Sequence, residues 1–386
     1  MKRVLLYYRY FRSLGGGEFL PICFAAELQK KCKVTLALDW SDGLDRAASK
    51  LGLPLDSGNL DVVQLMPTGT CPAQQSMKLS VARSRALKRL AKECDVCISL
   101  ANPIDFGRPS HHFITNITIG DEDFSNFALG IGRSPLSTRI KNTILNHTLR
   151  PLLGMSSKRK LISDQRNRIY PNSRYMADLL RQFYGPFVGD VFYPPTLFRP
   201  ESPLEAGNRP LDVLYIGRIC VEKRIEDIVD IVTRVRGLSG KDVHLVVAGA
   251  LDATEYVDKL KILASQRKWF RLVGPVYGRE KDTFLQSGSF AIHTERVEAF
   301  GISVTEYLKA GLIPIVPDEG GSCEIVDNPA LTYHTINDAA RILLNLISNN
   351  DFRESQQRLC ADRANIFSQE AYLVRQRKLL SDIVGC

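Results

Sequence analysis

Short apolar segments alternate with amphipathic helical segments along most of the chain, and this alternation limits the fold more than any other feature of the sequence. In the first half, the predicted strands are residues 4–8, 34–38, 62–66, 95–100 and 113–119. In the second half they are residues 211–216, 243–249, 270–274, 290–293 and 313–316. Strands that alternate with helices in this way form a doubly wound parallel sheet. The predicted fold class is therefore α/β.

The chain divides near its middle, where residues 196–210 hold three prolines and several charges, as expected of a linker. With 386 residues the chain also exceeds the ~250–300 residues at which a single hydrophobic core stops growing. We therefore predict a first domain over residues 1–195 and a linker over 196–210. A second domain over 211–365 and a terminal helix within 366–386 complete the prediction.

The formal net charge is +9, from 51 Lys and Arg against 42 Asp and Glu. This excess favours an anionic partner and leaves nucleic acid, acidic lipid and a nucleotide diphosphate open. No apolar run reaches the ~18–20 residues that span a bilayer, and Arg9 and Arg12 interrupt the apolar start. Nine cysteines without regular spacing are typical of buried thiols rather than of a disulfide framework. We expect a cytoplasmic protein.

Two carboxylates, Glu298 and Glu306, flank the backbone amides of Phe300, Gly301 and Ile302 at the start of a predicted helix. Free amides at a helix N-terminus attract phosphate, and carboxylates accept hydrogen bonds from sugar hydroxyls. The combination suits a sugar joined to a diphosphate. Two simpler interpretations stay open: Ser303 and Glu306 also have the spacing of a capping box, and Glu298 alone could be a solvated loop acid.

The segment Glu298-Ala-Phe-Gly, with a second glutamate eight positions later, resembles the signature of the family 4 retaining glycosyltransferases. Gly217-Arg218 followed by Glu222-Lys223 is similar to a second motif of that family. The resemblance implies the GT-B fold, in which two Rossmann-like, doubly wound domains face a cleft. It implies that residues 1–195 bind the acceptor, that residues 211–365 bind a nucleotide sugar, and that the terminal helix crosses back to the first domain.

The same resemblance implies roles for individual residues of the second domain. Arg218, Lys223 and the amides of Phe300, Gly301 and Ile302 would stabilise the leaving diphosphate, for which a guanidinium and an ammonium are both suited. Glu306 would bind the ribose hydroxyls, and Glu298 the hydroxyls of the transferred sugar. The nucleotide base would pack against backbone at Gly274. Surface salt bridges are the simpler interpretation of Arg218 and Lys223.

A glycine-rich loop, Gly15-Gly16-Gly17-Glu18, follows the first predicted strand. It is too late and too contiguous for a dinucleotide fingerprint, so an NAD site is excluded. Gly16 and Gly17 resemble the family's loop that faces the donor diphosphate, although a plain turn would also need glycine.

The family commonly places a histidine at the end of the fifth strand, and this sequence departs from that pattern. His111 and His112 precede the predicted strand, and Gly120-Asp121 takes the expected position. Asp121 could act as a base on an acceptor hydroxyl or simply cap the next helix, with His112 as the weaker catalytic candidate.

Residues 124–163 contain no acidic residue and seven basic ones among many apolar side chains. This composition is typical of a segment that lies in an anionic membrane interface, where each basic residue contributes ~1 kcal/mol. A basic helix can also bind RNA, and a solvated face is the plainest alternative. We predict peripheral membrane contact and no nucleic acid.

Several short motifs together resemble those of GDP-mannose-dependent α-1,2-mannosyltransferases of lipid-linked oligosaccharide synthesis. They are His293-Thr294, Phe300-Gly301-Ile302, Gly320-Gly321, the glycine-rich loop and Tyr193-Pro194-Pro195. The resemblance implies GDP-mannose as donor, with UDP-hexose as the alternative, and a glycan or lipid-linked acceptor. The Asp-x-Asp string Asp121–Asp123 lies in the first half, away from the donor motif, so no metal or other cofactor is expected. A nucleic-acid-binding protein and a catalytically inactive GT-B scaffold are the alternatives from other functional classes.

Overall fold

The computed structural model describes residues 1–11, 18–53, 55, 58–67, 76–131, 137, 148–196, 198 and 209–385. The chain forms two compact units. The first unit comprises Met1–Pro195 together with Tyr372–Cys386, and the second comprises Thr196–Ala371. Of the predicted linker, residues 196, 198, 209 and 210 are described.

The first unit is built on a six-stranded sheet in the order β3-β2-β1-β4-β5-β6, in which every neighbouring pair is parallel. Its strands are β1 Arg3–Tyr8, β2 Lys33–Leu38, β3 Leu60–Gln64, β4 Val96–Ser99, β5 His111–Ile114 and β6 Arg168–Pro171. The strand order reverses between β1 and β4. In open parallel sheets, ligands bind beyond the carboxyl ends of the strands at such a point.

The helices of the first unit connect these strands, and one comes from the end of the chain. They are α1 Phe19–Leu28, α2 Leu44–Leu51, α3 Met77–Ala91, α4 Glu122–Ala128, α5 Arg150–Leu152, α6 Lys158–Ser163 and α7 Arg174–Tyr184. The last helix of the chain, which we number α15, is Gln369–Val384. Its residues Tyr372, Leu380 and Val384 are buried in the core of the first unit. Gln376 Nε2 donates to the carbonyl of Cys23 at 2.7 Å.

The second unit repeats the same strand order. Its parallel sheet runs β12-β11-β10-β7-β8-β9, so its order also reverses after the first strand, between β7 and β10. The strands are β7 Val213–Ile216, β8 Leu245–Ala248, β9 Phe270–Val273, β10 Phe290–Ile292, β11 Ile313–Pro317 and β12 Thr332–Tyr333. β7, β8, β10 and β11 are apolar and largely buried, as expected of central strands covered by helices on both faces.

Seven helices and three 3-10 turns of the second unit lie in the described residues. The helices are α8 Ile225–Ser239, α9 Glu255–Ser265, α10 Gly278–Gln286, α11 Ile302–Lys309, α12 Gly321–Val326, α13 Ile336–Ser348 and α14 Asn350–Ala364. The 3-10 turns are Val221–Lys223, Pro329–Leu331 and Asn365–Phe367.

The prediction for the fifth strand was wrong. It placed the strand at residues 113–119, after the two histidines, whereas β5 is His111–Ile114 and includes both. The histidines fit a strand because each finds a polar partner: His112 Nε2 lies 3.1 Å from Ser110 Oγ, and His111 Nδ1 lies 3.1 Å from Tyr170 Oη. Residues 115–119, although apolar and polar in alternation, form a loop instead. Gly120 and Asp121 therefore lie beyond that loop rather than at the strand end.

Candidate active site

The carboxyl end of β7 leads into the segment that carries the two predicted cations. Tyr215 Oη donates to the carbonyl of Arg218 at 3.2 Å and so fixes the backbone just after the strand. The Arg218 side chain is exposed, and its guanidinium makes no hydrogen bond or ion pair within the described residues. The chain then enters the 3-10 turn that ends at Lys223, ahead of α8.

Lys223 lies between two carboxylates that follow β10. Its Nζ donates to Glu298 Oε2 at 2.6 Å and also to Glu295 Oε2. The three side chains are only 13%, 22% and 20% exposed, respectively, so this is not a surface salt bridge. Thr294 Oγ1 donates to the carbonyl of Lys223 at 2.5 Å, which ties the two segments together.

His293, the residue after β10, completes the arrangement that we call the Lys223 cluster: Lys223, His293, Glu295 and Glu298. His293 is 1% exposed, and its Nε2 lies 3.7 Å from Glu298 Oε2. Neither ring nitrogen has a hydrogen-bond partner in the part of the chain that the structure describes. Its carbonyl accepts from Tyr333 Oη at 2.9 Å. An unpaired buried imidazole carries a free energy penalty unless a ligand satisfies it.

The two glutamates of the Lys223 cluster have opposite pKa shifts. Burial alone would raise the pKa of Glu298, but the Lys223 ammonium beside it lowers that pKa to about 2. Burial and the negative charge of Glu298 raise the pKa of Glu295 to about 7. Burial, reinforced by the charge of Lys223, lowers the pKa of His293 to about 4. At neutral pH Glu298 is therefore ionised and His293 is neutral, while Glu295 titrates.

The helix α11 begins directly after this cluster. Gly301 precedes it at φ 99°, a left-handed conformation that glycine adopts without strain, and no side chain caps the helix. Gly301 O accepts from the amides of Val304 and Thr305, whereas the first-turn amides of Ile302 and Ser303 have no acceptor within the helix. Phe300 is 3% exposed and packs edge-to-face on Phe367.

The capping-box alternative for Glu306 is not what the structure contains. Ser303 caps nothing, and Glu306 Oε1 instead accepts from Lys281 Nζ of α10 at 2.6 Å. Both side chains are largely buried, at 13% and 24% exposed, respectively. Tyr307 Oη accepts from the amide of Ile216 at 2.9 Å, so α11 is held against the end of β7.

Two glycines hold the loop that carries Glu298. Gly321 N donates to the carbonyl of Glu298 at 2.7 Å. A Cβ on Gly321 would lie 2.6 Å from Ala299 O, and one on Gly320 would lie 2.4 Å from Arg296 O. Only glycine permits this backbone approach. The pair Gly320-Gly321 therefore fixes the position of Glu298 relative to α12.

The remaining predicted site residues lie either apart from the Lys223 cluster or outside the described residues. Gly274 follows β9 and is exposed, and β9 lies three strands from β10 in the sheet. Gly16 and Gly17 lie outside the described residues. In the first unit, Asp121 caps α4: its Oδ1 accepts from Phe124 N at 3.2 Å and its Oδ2 from Tyr184 Oη at 2.7 Å. Burial lowers the pKa of His112 to about 3, so this histidine is neutral.

Sequence reasoning assigned no role in the site to His293, Glu295 or Lys281. Ligand atoms of His293, Glu295 and Glu298 lie within 4.8 Å of one another, a grouping that could also hold a metal ion. The Lys223 ammonium contacts both of those carboxylates and supplies a cation at the same place. The signal that could have found Glu295 is its position, three residues before Glu298 and two after the predicted strand.

A region that matches a known family makes up most of the second unit. Residues 201–359 match the sequence model of the family described as glycosyl transferases group 1. The second unit thus contains a glycosyltransferase domain. No curated protein sequence matches the chain.

The fold of the whole chain is similar to that of several solved structures. WaaG, a glycosyltransferase involved in lipopolysaccharide biosynthesis, has a TM-score of 0.68 at 12% identity over 99% of this chain and 100% of that chain. Anabaena Alr3699/HepE, solved in complex with UDP and glucose, has a TM-score of 0.67 at 14% identity over 100% of both chains. Sucrose-phosphate synthase (tll1590) from Thermosynechococcus elongatus has a TM-score of 0.69 at 13% identity, again over 100% of both chains.

These similarities, with two parallel six-stranded sheets of identical strand order, confirm the predicted GT-B fold of two Rossmann-like units. The matched domain and the fold together make this chain a glycosyltransferase enzyme.

Proposed function

We propose that the protein is a retaining glycosyltransferase that moves a hexose from a nucleotide-diphosphate sugar to a glycan or lipid-linked acceptor without a metal ion. The observation that carries this proposal is the contact between Lys223 Nζ and Glu298 Oε2, next to the start of α11. It brings an ammonium, an ionised carboxylate and helix N-terminal amides together, and these are the groups that a sugar diphosphate needs.

Each of these groups has a part in the proposed reaction. Negative charge develops on the diphosphate as the bond to the sugar breaks, and preorganised cations and amides stabilise it. Lys223 and the first-turn amides of α11 supply that stabilisation, and the unpaired guanidinium of Arg218 is available to add to it. Glu298, held ionised by Lys223, accepts hydrogen bonds from hydroxyls of the transferred sugar. Glu306 binds the ribose hydroxyls, and the hydrogen bond from Lys281 Nζ to Glu306 Oε1 holds its carboxylate in place.

The donor is proposed at two levels of detail. A nucleotide-diphosphate sugar is supported by the glycosyltransferase match and by the similar fold of Alr3699/HepE, which was solved with UDP-glucose. For the particular sugar we propose mannose from GDP-mannose, on the motif resemblance, with UDP-hexose as the alternative. Because Alr3699/HepE was solved with UDP, guanine and uracil nucleotides are tested side by side.

The proposed acceptor side includes the segment 124–163, for which we propose peripheral contact with the cytoplasmic face of an anionic membrane. Large apolar side chains are exposed in its described part: Phe127 at 41%, Leu129 at 42%, Ile131 at 57%, Leu149 at 45% and Leu152 at 78%. Exposed apolar groups among cations, without acids, support a lipid interface. Within the described residues, no helix is both long and apolar enough to cross a membrane.

A panel of GDP, UDP, GDP-mannose, UDP-glucose and other nucleotide sugars tests this proposal by thermal shift, because a ligand that binds only the folded state stabilises it. The wild type is compared with Glu306→Gln, and with Glu354→Gln as a control that removes an exposed carboxylate on α14. We expect one base family to stabilise the wild type and the control, and Glu306→Gln to lose most of that response. If no member of the panel stabilises the wild type, the transferase proposal fails.

A further inference from the structure

The carboxyl edge of the first sheet carries cations around its own point of strand reversal. Arg9 follows β1, Asp39 follows β2, and Pro103 lies in the loop after β4. Trp40 N donates to the carbonyl of Arg9 at 3.2 Å, which joins the ends of β1 and β2. The order β2-β1-β4-β5 brings these strand ends side by side. By the rule for open parallel sheets, a ligand of this unit is expected here.

The buried carboxylate of Asp39 at this edge lies close to the guanidinium groups of Arg9 and Arg83. Asp39 is 0% exposed and accepts from Arg83 Nη1 at 2.8 Å and from Tyr7 Oη at 3.2 Å. Arg9 Nε lies 3.7 Å from the same carboxylate, too far for a hydrogen bond. This Nε is buried and has no hydrogen-bond partner in the described part of the chain. A buried N–H of a charged group without an acceptor is a donor that an anion can satisfy.

A lysine lies in the same region, and no ion pair joins it to a carboxylate within the described residues. Lys158, on α6, donates to the carbonyl of Pro103 after β4, and its Cε would lie 3.4 Å from a Cβ on Gly120. Burial and the positive charges of Arg150, Arg83 and Arg9 lower the pKa of Lys158 to about 7, with Asp121 opposing them. The Lys158 ammonium thus lies at the loop after β4, and β4 is the sheet neighbour of β1, which Arg9 follows.

The charge balance of this region is positive. Four cations, Arg9, Arg83, Arg150 and Lys158, which we call the basic edge, face two carboxylates, Asp39 and Asp121. Both Asp121 oxygens already accept hydrogen bonds, from Phe124 N and Tyr184 Oη. Since a pKa of about 7 leaves Lys158 only partly charged at neutral pH, the excess of positive charge lies between one and two. A phosphate group, which carries roughly one to two negative charges at that pH, would neutralise this excess.

We propose that the basic edge binds the phosphate group of a phosphate-bearing acceptor. This inference rests on the proposed glycosyltransferase function, which it deepens by naming the chemical class of the acceptor. Guanidinium groups suit phosphate because they donate paired hydrogen bonds in a fixed fork. Arg9 Nε supplies a donor without a competing acceptor. The phosphate belongs either to a lipid headgroup or to a soluble sugar phosphate.

The test measures binding of inorganic phosphate by calorimetry to the wild-type protein and to four single variants. Arg9→Gln and Arg150→Gln each remove one cation of the basic edge. Lys160→Gln is the matched control, since this lysine is exposed on the same helix as Lys158. Arg218→Gln controls for phosphate that binds the second unit instead.

We expect Arg9→Gln and Arg150→Gln to weaken phosphate binding about tenfold, the effect of one lost charge-assisted hydrogen bond, and Lys160→Gln to match the wild type. Arg218→Gln should keep the phosphate site that Arg9→Gln weakens. A fifth variant, Arg9→Lys, should recover part of the loss. Equal affinity in the wild type and the first four variants, or a loss confined to Arg218→Gln, overturns the proposal. Arg150→Gln keeps the test decisive should Arg9→Gln fail to fold.

Nucleotide-sugar binding by Arg9→Gln, measured separately, distinguishes failure of this inference from failure of the proposed function. Normal nucleotide binding with unchanged phosphate affinity overturns only the acceptor site. Two further arms identify the source of the phosphate. Displacement of inorganic phosphate by phosphatidic acid vesicles, but not by phosphatidylcholine vesicles, identifies a lipid headgroup. Displacement by glucose 1-phosphate alone identifies a soluble acceptor.

Discussion

The two units place their charged groups at the same edge of the same kind of sheet but in opposite proportions. In the second unit one ammonium, Lys223, lies between the carboxylates of Glu295 and Glu298. In the first unit one carboxylate, Asp39, lies between the guanidinium groups of Arg9 and Arg83. Both sheets have the same order of strands, with the reversal after the first strand.

Because the strand order is the same, the fold determines where a site lies and the side chains determine what it binds. A cluster rich in ionised carboxylates offers acceptors for sugar hydroxyls. An edge rich in guanidinium and ammonium groups offers donors for an anion. This contrast supports the two proposals, in which the second unit binds the sugar of the donor and the first unit binds an anionic group of the acceptor.

The largest effect should come from removing the one ammonium group of the Lys223 cluster. Lys223→Gln leaves two largely buried carboxylates without a counter-charge, and breaking such a pair costs ~3–5 kcal/mol of unfolding free energy. Arg9→Gln leaves Arg83 on Asp39 and removes a group that is 37% exposed, so it should cost less than ~1 kcal/mol. Urea unfolding of both variants measures the contrast. Equal losses would mean that the two edges do not differ as described.

The glycine pair of the second unit should give the next largest effect. Gly321→Ala brings a Cβ to 2.6 Å from Ala299 O and should destabilise the protein by ~1–3 kcal/mol while displacing Glu298. The matched control is Gly237→Ala in α8, where a Cβ meets nothing within 4 Å. The control should be stabilised by ~0.5–1 kcal/mol, because alanine is the better helix former. Thermal unfolding measures both variants, and a change of Tm in the same direction for the two would contradict this account.

A smaller effect concerns the pH dependence of the Lys223 cluster. Folding raises the pKa of Glu295 from 4.5 to about 7, so the proton is held more tightly in the folded state. Its contribution to stability is therefore complete below pH 4.5 and is lost as the pH rises through 7. Glu295→Gln removes this titration, whereas His293 and Lys158 titrate in both proteins. As the pH rises from 4.5 to above 7, the free energy of unfolding of the wild type should decrease relative to that of the variant. A pH-independent difference would contradict the assigned shift.

The smallest effect separates the surfaces of the two units. Leu152 of the first unit is 78% exposed, and Leu238 of the second is 70% exposed. If the segment 124–163 contacts lipid, Leu152→Ser should weaken binding to phosphatidylserine vesicles by ~1 kcal/mol, through loss of buried apolar area. Leu238→Ser should leave vesicle binding unchanged. Co-sedimentation measures both, and equal behaviour of the variants would argue against the predicted membrane contact.

The sequence was a good guide where local pattern determines structure. Apolar runs between helices predicted ten strands of two parallel sheets, and the strand that includes Val213 is buried as expected. β5 was misplaced because the alternation in residues 115–119 imitates a strand, whereas the two histidines look like loop residues until their partners Ser110 and Tyr170 are known.

The candidate site was predicted only in part, because local sequence patterns reveal motifs but not contacts between distant residues. Motif spacing identified Lys223 and Glu298, whose contact the structure contains. Glu295 and Lys281 were missed because nothing local indicates an ion pair to a residue 72 or 25 positions away. The roles assigned to Asp121, Gly274 and the other site residues stay predictions.

Isothermal titration of Glu298→Gln tests the central claim most directly, with the nucleotide sugar that stabilises the wild type and with its nucleoside diphosphate. Glu298 is assigned to the sugar, so the variant should bind the nucleotide sugar about tenfold more weakly, as when a hydrogen bond to a charged group is lost. It should bind the nucleoside diphosphate as the wild type does. Wild-type affinity of the variant for both ligands would contradict the assignment of the Lys223 cluster as the donor-sugar site.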